Sequence, residues 1–357
     1  MFVSLGVRFL ANIEALNMVE SVGNLTKHRR APIVIRKDDE YKIVYVPAIS
    51  GESFAHAYQV ALVEVAKLIY GEKLPVDEWS LRGEFFKFGD KQHMPDELKA
   101  LFGKVARKKV QEILSVKHEI EKKAIKLSLV ADIGGFMVAE DLPIKRTSVF
   151  QVGYIIPTYD TIEATAIESQ FHVRHVASET IGRTRGEGEE AGEAEQREAR
   201  QAQMIYYIET ASAVYGLTFN IDLEGIGRTS MIKVEDAVDE EERKRRIKVA
   251  LGALAQTIAG ISFGAKRSRF QPISDILSIV ATVSDPKPFV VSPPQLPSFI
   301  EDTKQRADSY VKMLEKIGVK PNIKIIAYSK EFEIPAGIVI AKTPEELFTK
   351  IFETVGI

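Results

Sequence analysis

The chain has 357 residues, enough for about two ordinary domains or for one domain with large insertions. It contains no cysteine, which excludes disulfides, thiolate nucleophiles and cysteine-ligated metal centres. Its formal net charge of −2 argues against a simple nucleic-acid-coating protein, which is usually basic. The longest uncharged run, 249–265, is shorter than the roughly 20 residues of a membrane span, so we expect a soluble, cytoplasmic protein with no membrane partner.

The first 70 residues predict strands followed by a helix. Residues 1–17 alternate between apolar and polar side chains, which predicts a long strand with one buried face. A polar loop follows, and then short strands are predicted at 33–36 and 41–46. Ser50 is a suitable N-cap for a helix over 53–70, whose apolar residues recur at helical spacing.

The middle of the chain predicts an insertion and then further strands. Residues 71–125 are rich in Lys and Glu and broken by prolines and glycines, which indicates a separate helical insertion. The segment 124–137 has strand-like apolar character, and 134–149 predicts a long irregular excursion. Strands are predicted again at 150–157 and 165–176.

The second half of the chain begins with a change of composition. Residues 178–202 are glutamate-rich and lack large apolar side chains, which predicts a mobile acidic loop. A strand at 204–222, a helix at 234–260 with acidic first turns, and a strand at 276–283 follow. The C-terminal region, 285–357, opens with a proline-rich connector. Its predicted helix, strand and helix are 298–317, 323–328 and 344–354.

With the insertions removed, the order is strand, helix, strands, helix, strand. This order predicts an α+β fold with a modified ferredoxin-like palm. An RNA-recognition domain (RRM) has the same skeleton, but its aromatic-rich RNA-binding motif is missing here. The predicted parts are a discontinuous RRM-like palm (1–70, 126–177 and 203–284), the helical insertion 71–125, the thumb-like excursion 134–149, the acidic loop 178–202 and a C-terminal α/β region, 285–357.

Basic residues form local clusters, whereas acidic residues gather at 187–198 and 235–242. The near-neutral total therefore conceals a basic track, which would suit a phosphodiester backbone. For each cluster alone, a solvated loop is the alternative interpretation. The clusters are Lys27, His28, Arg29 and Arg30; Lys145 and Arg146; His172, Arg174 and His175; and Lys266, Arg267 and Arg269.

Two glycine-containing segments are candidate anion sites. In 260–270, GISFGAKRSRF, glycines would let backbone amides approach an anion, although the spacing is not that of a nucleotide-binding P-loop. The alternative is a helix terminator followed by a basic turn, with Phe263 and Phe270 either stacking on bases or buried. The helix start at Ser50 and Gly51 fits a phosphate or a plain cap equally well.

The sequence predicts no catalytic or metal site. His172 and His175 lie three residues apart on a strand and point to opposite faces, so they cannot chelate one ion together. No serine–histidine–aspartate order or paired-carboxylate motif stands out. We therefore expect no metal, no cofactor and no enzymatic activity.

Several motifs occur together between residues 3 and about 284. They are GVRFLANIEALN, ESVGNLTKHRRAP, YVPAISGESFAHAYQ, DIGGFM followed by KRTS and GY, QFHVR, and FGAKRSRF. Their order and content resemble the archaeal type I-A Cascade backbone subunit, in the DevR-type branch of the CRISPR repeat-associated RAMP superfamily. The helical insertion and the last seventy residues contribute little to this resemblance.

The resemblance implies a palm, a helical insertion and a thumb, with many copies assembled head to tail along one CRISPR RNA (crRNA). It also implies other Cascade subunits as partners and single-stranded target DNA recognised by guide pairing. The RNA-binding residues that it implies are Asn24, Lys27, His28, Arg29, Ser50, Gly51, His56, His172, Arg174, Lys266, Arg267 and Arg269, with Arg146 in the excursion 134–149 as the thumb residue.

Two other functions remain open at this point. Related type III backbone subunits cut RNA with an aspartate in the first loop, whereas the loop 18–31 here holds only Glu20 as an acid. Sister RNA-processing enzymes use a histidine as general base, so His28 and His172 leave a metal-independent RNA endonuclease as an alternative. A generic single-stranded nucleic-acid-binding protein is the third hypothesis.

Overall fold

The computed structural model describes residues 1–102, 110–139, 142–174 and 204–357. The strands in these ranges are β1 (Phe2–Glu14), β2 (Met18–Val22), β3 (Leu25–His28), β4 (Arg30–Lys37), β5 (Glu40–Pro47), β6 (Phe136–Val138), β7 (Ile144–Arg146), β8 (Phe150–Val152), β9 (Ile156–Pro157), β10 (Ala166–Arg174), β11 (Met204–Asp222), β12 (Ile273–Asp285), β13 (Asn322–Ser329) and β14 (Val339–Ile340). The helices are α1 (Gly51–Tyr70), α2 (Glu78–Leu81), α3 (Asp96–Phe102), α4 (Val110–Leu127), α5 (Leu129–Gly134), α6 (Glu240–Ala259), α7 (Phe299–Glu315) and α8 (Pro344–Val355), with a 3₁₀ helix at Tyr159–Ala164.

A ten-stranded sheet joins most of these strands, and the protein is of the mixed α+β class. Strand β1 lies at its centre, antiparallel to β11 on one side and to β12 on the other. Strand β10 pairs antiparallel with β11, and β13 extends the opposite edge from β12. The neighbours β10–β11–β1–β12 therefore form an antiparallel core of the sheet.

Strand β1 confirms the predicted alternation, but both of its faces are buried. Its apolar face packs into the main core, as the sequence pattern predicts. The other face is covered by the C-terminal region, since a Cβ on Gly6 would lie 3.3 Å from Val291 and 3.5 Å from Phe299. The expectation of a single buried face is therefore wrong, and the buried polar residues on this face need partners within the fold. Arg8, for example, pairs with Asp160 at 2.8 Å and Glu331 at 3.1 Å.

Helices α1 and α6 pack beside each other over the main core. The Tyr58 hydroxyl of α1 donates to the carbonyl of Ala250 in α6 at 3.0 Å. Ser50 caps α1 as predicted, because its hydroxyl accepts a hydrogen bond from the Ser53 amide. Helix α6 begins later than predicted, since Asp239 caps it and the residues before it fold irregularly.

The helical insertion and the excursion that follows it share a small second core, built from α3, α4 and the β6–β7 hairpin. The strand-like interpretation of 124–137 is wrong for most of its length, because α4 continues into it and α5 follows. Ser128 caps α5 by accepting from the Ala131 amide, and that cap starts a new helix within the apolar run. The excursion 134–149, expected to be irregular, contains the β6–β7 hairpin.

Two further expectations concern loops. The polar loop after β1 forms the hairpin β2–β3, and a second hairpin, β4–β5, replaces the short predicted strands with longer ones. The predicted acidic loop 178–202 lies outside the described residues. Among the described helices, none is both long enough and apolar enough to span a membrane.

Candidate nucleic-acid interface

A groove of about 520 Å³ opens where β3 and β11 meet the loop that follows α6. It brings together residues from three separate segments of the chain. Its lining residues are Thr26, Tyr206, Ile208, Lys266, Ser268, Arg269 and Phe270. The groove thus combines aromatic rings, hydroxyls and basic side chains, with no carboxylate among these lining residues.

His172 connects β10 to this groove. The register of the hairpin places His172 opposite Tyr206, and the two rings stack with centroids 5.3 Å apart. The same imidazole meets the Phe270 ring edge-on at 5.5 Å. The structure therefore brings the QFHVR and FGAKRSRF motifs into one site. Arg174 lies at the end of β10, opposite Met204.

The loop after α6 is held by close contacts with Leu16, two residues after the end of β1. Gly264 has a φ of +89°, and a Cβ there would lie 2.6 Å from the Leu16 side chain, so only glycine fits. The next amide, of Ala265, donates to the Leu16 carbonyl at 2.7 Å. Phe263 is buried against Phe9 and Phe54, which assigns it to the core instead of to base stacking.

This anchoring leaves the basic end of the loop at the surface. The amides of Arg269 and Phe270 both donate to the Lys266 carbonyl, which closes a tight turn. The side chains of Lys266 and Arg269 are exposed, while Arg267 is half-buried and donates to Gln271 at 3.2 Å. The turn therefore presents cations to solvent beside the aromatic rings of the groove.

The residues of the first loop lie in different environments. Asn24 is exposed, and its carbonyl accepts from the Tyr207 amide at 2.7 Å, which fixes the β2–β3 hairpin against β11. Lys27 and Arg29 are half-buried, and Arg29 donates to the Tyr154 hydroxyl at 3.3 Å. His28, in contrast, is buried. Asn24, Lys27 and Arg29 are thus accessible to a ligand to some degree, and His28 is not.

His28 belongs to a buried network at the end of β1. Its Nε2 lies 2.7 Å from Glu14, and that carboxylate also accepts from the Tyr215 hydroxyl at 2.6 Å. Burial opposes the charged imidazole, but the hydrogen bond and the charge of Glu14, the Arg29 carbonyl and the charge of Glu209 outweigh it. The pKa of His28 is therefore raised above its usual range. The imidazole is used internally, which leaves it poorly placed as a general base.

The raised pKa of His28 predicts a pH-dependent stability. Protonation is favoured in the folded state, so the contribution of the His28–Glu14 pair is fully present below the unfolded pKa of about 6.5 and is lost as pH rises through the raised folded pKa. Urea unfolding of wild type and His28→Gln across this range should give a stability difference that shrinks as pH rises. A difference independent of pH would contradict the assignment.

The start of α1 has specific structural roles. Ser50 is buried, its amide donates to the Asn17 side chain at 2.8 Å, and its hydroxyl is used by the helix cap. A Cβ on Gly51 would lie 2.6 Å from the Val152 carbonyl, so a larger residue would displace that strand. His56 is exposed, with its ring 5.2 Å from that of Phe85. These residues do not line the groove, and only His56 offers its side chain to solvent.

Arg146 differs most from its predicted role. It is buried, donates to the carbonyls of Asp132, Gly225 and Arg228, and forms an ion pair with the Asp132 carboxylate. A guanidinium used in this way is not available to wedge between guide nucleotides. The prediction for Arg146 is therefore corrected: it stabilises the junction between the insertion and the rest of the fold.

Tyr206 is an aromatic groove residue that the sequence does not predict, whereas Phe270 is one of the two candidates for base stacking that it offers. Tyr206 carries no signal in the sequence beyond its place in a predicted strand, and its pairing with His172 depends on the hairpin register. Thr26 likewise carries no such signal, although it directly precedes Lys27 of the first basic cluster. Among the described residues, no group of three or more histidine or acidic side chains is arranged to hold a metal ion.

Comparison with known proteins assigns the chain to a protein family. A family model described as "CRISPR-associated negative auto-regulator DevR/Csa2" matches residues 5–304. Two proteins of Saccharolobus solfataricus are each 35% identical to the chain. "CRISPR-associated aCascade subunit Cas7/Csa2 2" aligns over 98% of this chain and 99% of its own length, and "CRISPR-associated protein Cas7/Csa2 1" over 88% and 89%. The chain therefore belongs to the DevR/Csa2 family, which confirms the resemblance read from the motifs.

A solved structure supports the fold alone. A chain of "CRISPR RNA-guided surveillance complex, pre-nicking" superimposes with a TM-score of 0.50 at 10% identity, covering 99% of each chain. At that identity the match indicates a related mixed α+β architecture. It carries no residue-level argument.

Proposed function

We propose that this protein is a crRNA-binding backbone subunit of a Cascade-type complex, and that its groove contacts the RNA. The observation that carries the proposal is the convergence of Lys266, Arg269, Tyr206 and Phe270 in one groove with no lining carboxylate. Cations beside aromatic rings suit a single-stranded polyanion. Membership of the DevR/Csa2 family, and a relative named as an aCascade subunit, support the same function.

The proposed contact residues follow from exposure and position. Lys266, Arg267 and Arg269 would bind phosphates, and Asn24, Lys27 and Arg29 of the first loop would extend the track, with Arg174 at the end of β10. His172 would contribute indirectly, by supporting the rings of Tyr206 and Phe270. His28, Ser50, Gly51 and Arg146 are excluded as direct side-chain contacts because they have internal roles, and His56 stays a separate surface candidate.

The proposed architecture is a modified ferredoxin-like palm enlarged by insertions. The strand neighbours β10–β11–β1–β12 and the pair of helices α1 and α6 support it, since a split β-α-β fold has this antiparallel order. The palm would comprise 1–70, 126–177 and 203–284. We further propose that copies of the chain assemble head to tail along the RNA. Other Cascade subunits would bind the same assembly, and single-stranded target DNA would pair with the guide.

The proposed role is non-enzymatic. A histidine general base must reach the proton that it abstracts. His28 is buried against Glu14, and His172 has aromatic rings as its neighbours. These environments favour a scaffold over the endonuclease alternative.

The proposal is tested by titrating labelled single-stranded RNA that contains a CRISPR repeat, over a series of salt concentrations. The logarithm of the affinity should fall linearly with the logarithm of salt, by about 0.7 per phosphate contact. The RNA should stay intact with and without divalent metal. Products that His172→Ala abolishes would establish the endonuclease instead. The generic single-strand binder would be favoured if unrelated single strands bind as tightly as the CRISPR RNA and the assembled complex shows no preference for CRISPR RNA.

A further inference from the structure

We propose that the groove holds one unstacked nucleobase of single-stranded RNA against Tyr206 and Phe270, while Lys266 and Arg269 bind the adjoining phosphates. This inference rests on the proposed function and deepens it, because it divides the groove into a base subsite and a phosphate subsite. The volume of about 520 Å³ lies within the range of sites that enclose small organic groups.

The two rings are fixed in place before any ligand arrives. The His172 imidazole stacks on Tyr206 with an interplanar angle of 21° and meets Phe270 at 84°. His172 is not among the lining residues, so it supports the rings while Tyr206 and Phe270 line the groove. Rings that are already positioned lose little conformational freedom when a base stacks on them, which favours binding.

The composition of the groove favours a base over a bare anion. A site for phosphate alone would need cations and backbone amides, and the rings of Tyr206 and Phe270 with the Ile208 side chain would contribute nothing to it. Those apolar surfaces match the face of a base, while Lys266 and Arg269 match its phosphates. Because bases in a duplex are already stacked, the occupant is single-stranded.

The test replaces each ring with an aliphatic side chain, which keeps most of the apolar volume and removes the flat face. Tyr206→Leu and Phe270→Leu should each lower the affinity for single-stranded RNA by about 5- to 100-fold, the loss expected for one base–aromatic stack. The salt slope should stay at its wild-type value, because no charge is removed. Tyr310→Leu in α7, which also removes a half-buried tyrosine, is the matched control and should bind normally.

A second measurement covers the case in which a leucine variant fails to fold. Wild-type protein is irradiated with RNA that carries photoreactive 4-thiouridine, and crosslinked peptides containing Tyr206 or Phe270 are expected. Crosslinks confined to other peptides, or leucine variants with wild-type affinity, would overturn the base subsite while leaving the proposed function intact. Absence of RNA binding by the wild type would instead remove the proposed function and this inference together.

Discussion

Replacing Asp132 with alanine should lower the free energy of unfolding by about 3–5 kcal/mol, the cost of leaving buried charges without their partner. Asp132 is fully buried, and its Oδ2 accepts from the Arg246 guanidinium at 2.8 Å. Its Oδ1 accepts from Arg146, and the Gly227 amide donates to both oxygens. The substitution would open a cavity beside two buried guanidinium groups, which would keep only Glu242 at 2.8 Å from Arg246 and Glu121 at 3.7 Å from Arg146 as carboxylate partners.

The location of Asp132 makes the effect global. Asp132 lies in α5, Arg146 in β7 and Arg246 in α6, so one carboxylate joins the β6–β7 hairpin to a helix that packs over the main core. Glu121 in α4 lies 3.7 Å from Arg146 and extends the network further into the insertion. We therefore expect the loss to appear in the cooperative unfolding of the chain.

The structure offers a matched control for this prediction. Asp236 also pairs with two arginines, Arg228 and Arg243, but its side chain is 58% exposed. Because exposed ion pairs contribute little, Asp236→Ala should cost at most about 1 kcal/mol. Urea denaturation of both variants measures the two free energies of unfolding and checks both predictions. Similar losses for the two aspartates would mean that burial of the charges is not the cause.

The sequence alone predicts those strands and helices whose signals lie within a single segment of the chain. The alternation in β1 and the capped apolar stripe of α1 were read correctly, because period and cap lie within one segment. The strand-like interpretation of 124–137 is wrong at 129–134, since a short apolar run fits a buried strand or a buried helix equally well. The second buried face of β1 was missed because the residues that cover it, such as Phe299, are distant in sequence.

At the candidate site, too, local features can be predicted from the sequence and long-range contacts cannot. Charge clusters are visible in the sequence, so Lys266 and Arg269, which the structure places in the groove, are candidates from the sequence alone. Whether a charge is exposed depends on partners far along the chain, and for that reason Arg146 was misassigned: Asp132 and the residues around Gly225 enclose it. The pairing of Tyr206 with His172 depends on the register of β10 against β11, which no local pattern specifies.

Replacing Lys266, Arg267 and Arg269 together with alanine should weaken binding of single-stranded CRISPR RNA by about 50-fold near 0.15 M salt. The estimate follows from counterion release, which gives a salt slope of roughly 0.7 per phosphate contact on single strands. Three lost contacts should therefore reduce the slope by about two. The turn that carries these side chains is held by backbone hydrogen bonds and by Gly264, so their truncation should leave the fold unchanged.

The control removes the same charge from another surface. Lys312, Lys316 and Lys320 are exposed at the end of α7 and after it, and their alanine variant changes the net charge equally. If the groove binds the backbone, this variant should keep the wild-type slope, whereas a general electrostatic attraction would lower both slopes alike. Unchanged affinity and slope in the groove variant would remove the groove from the RNA path. A lower slope confined to it would place two or three phosphates beside Lys266 and Arg269, next to the base stacked on Tyr206.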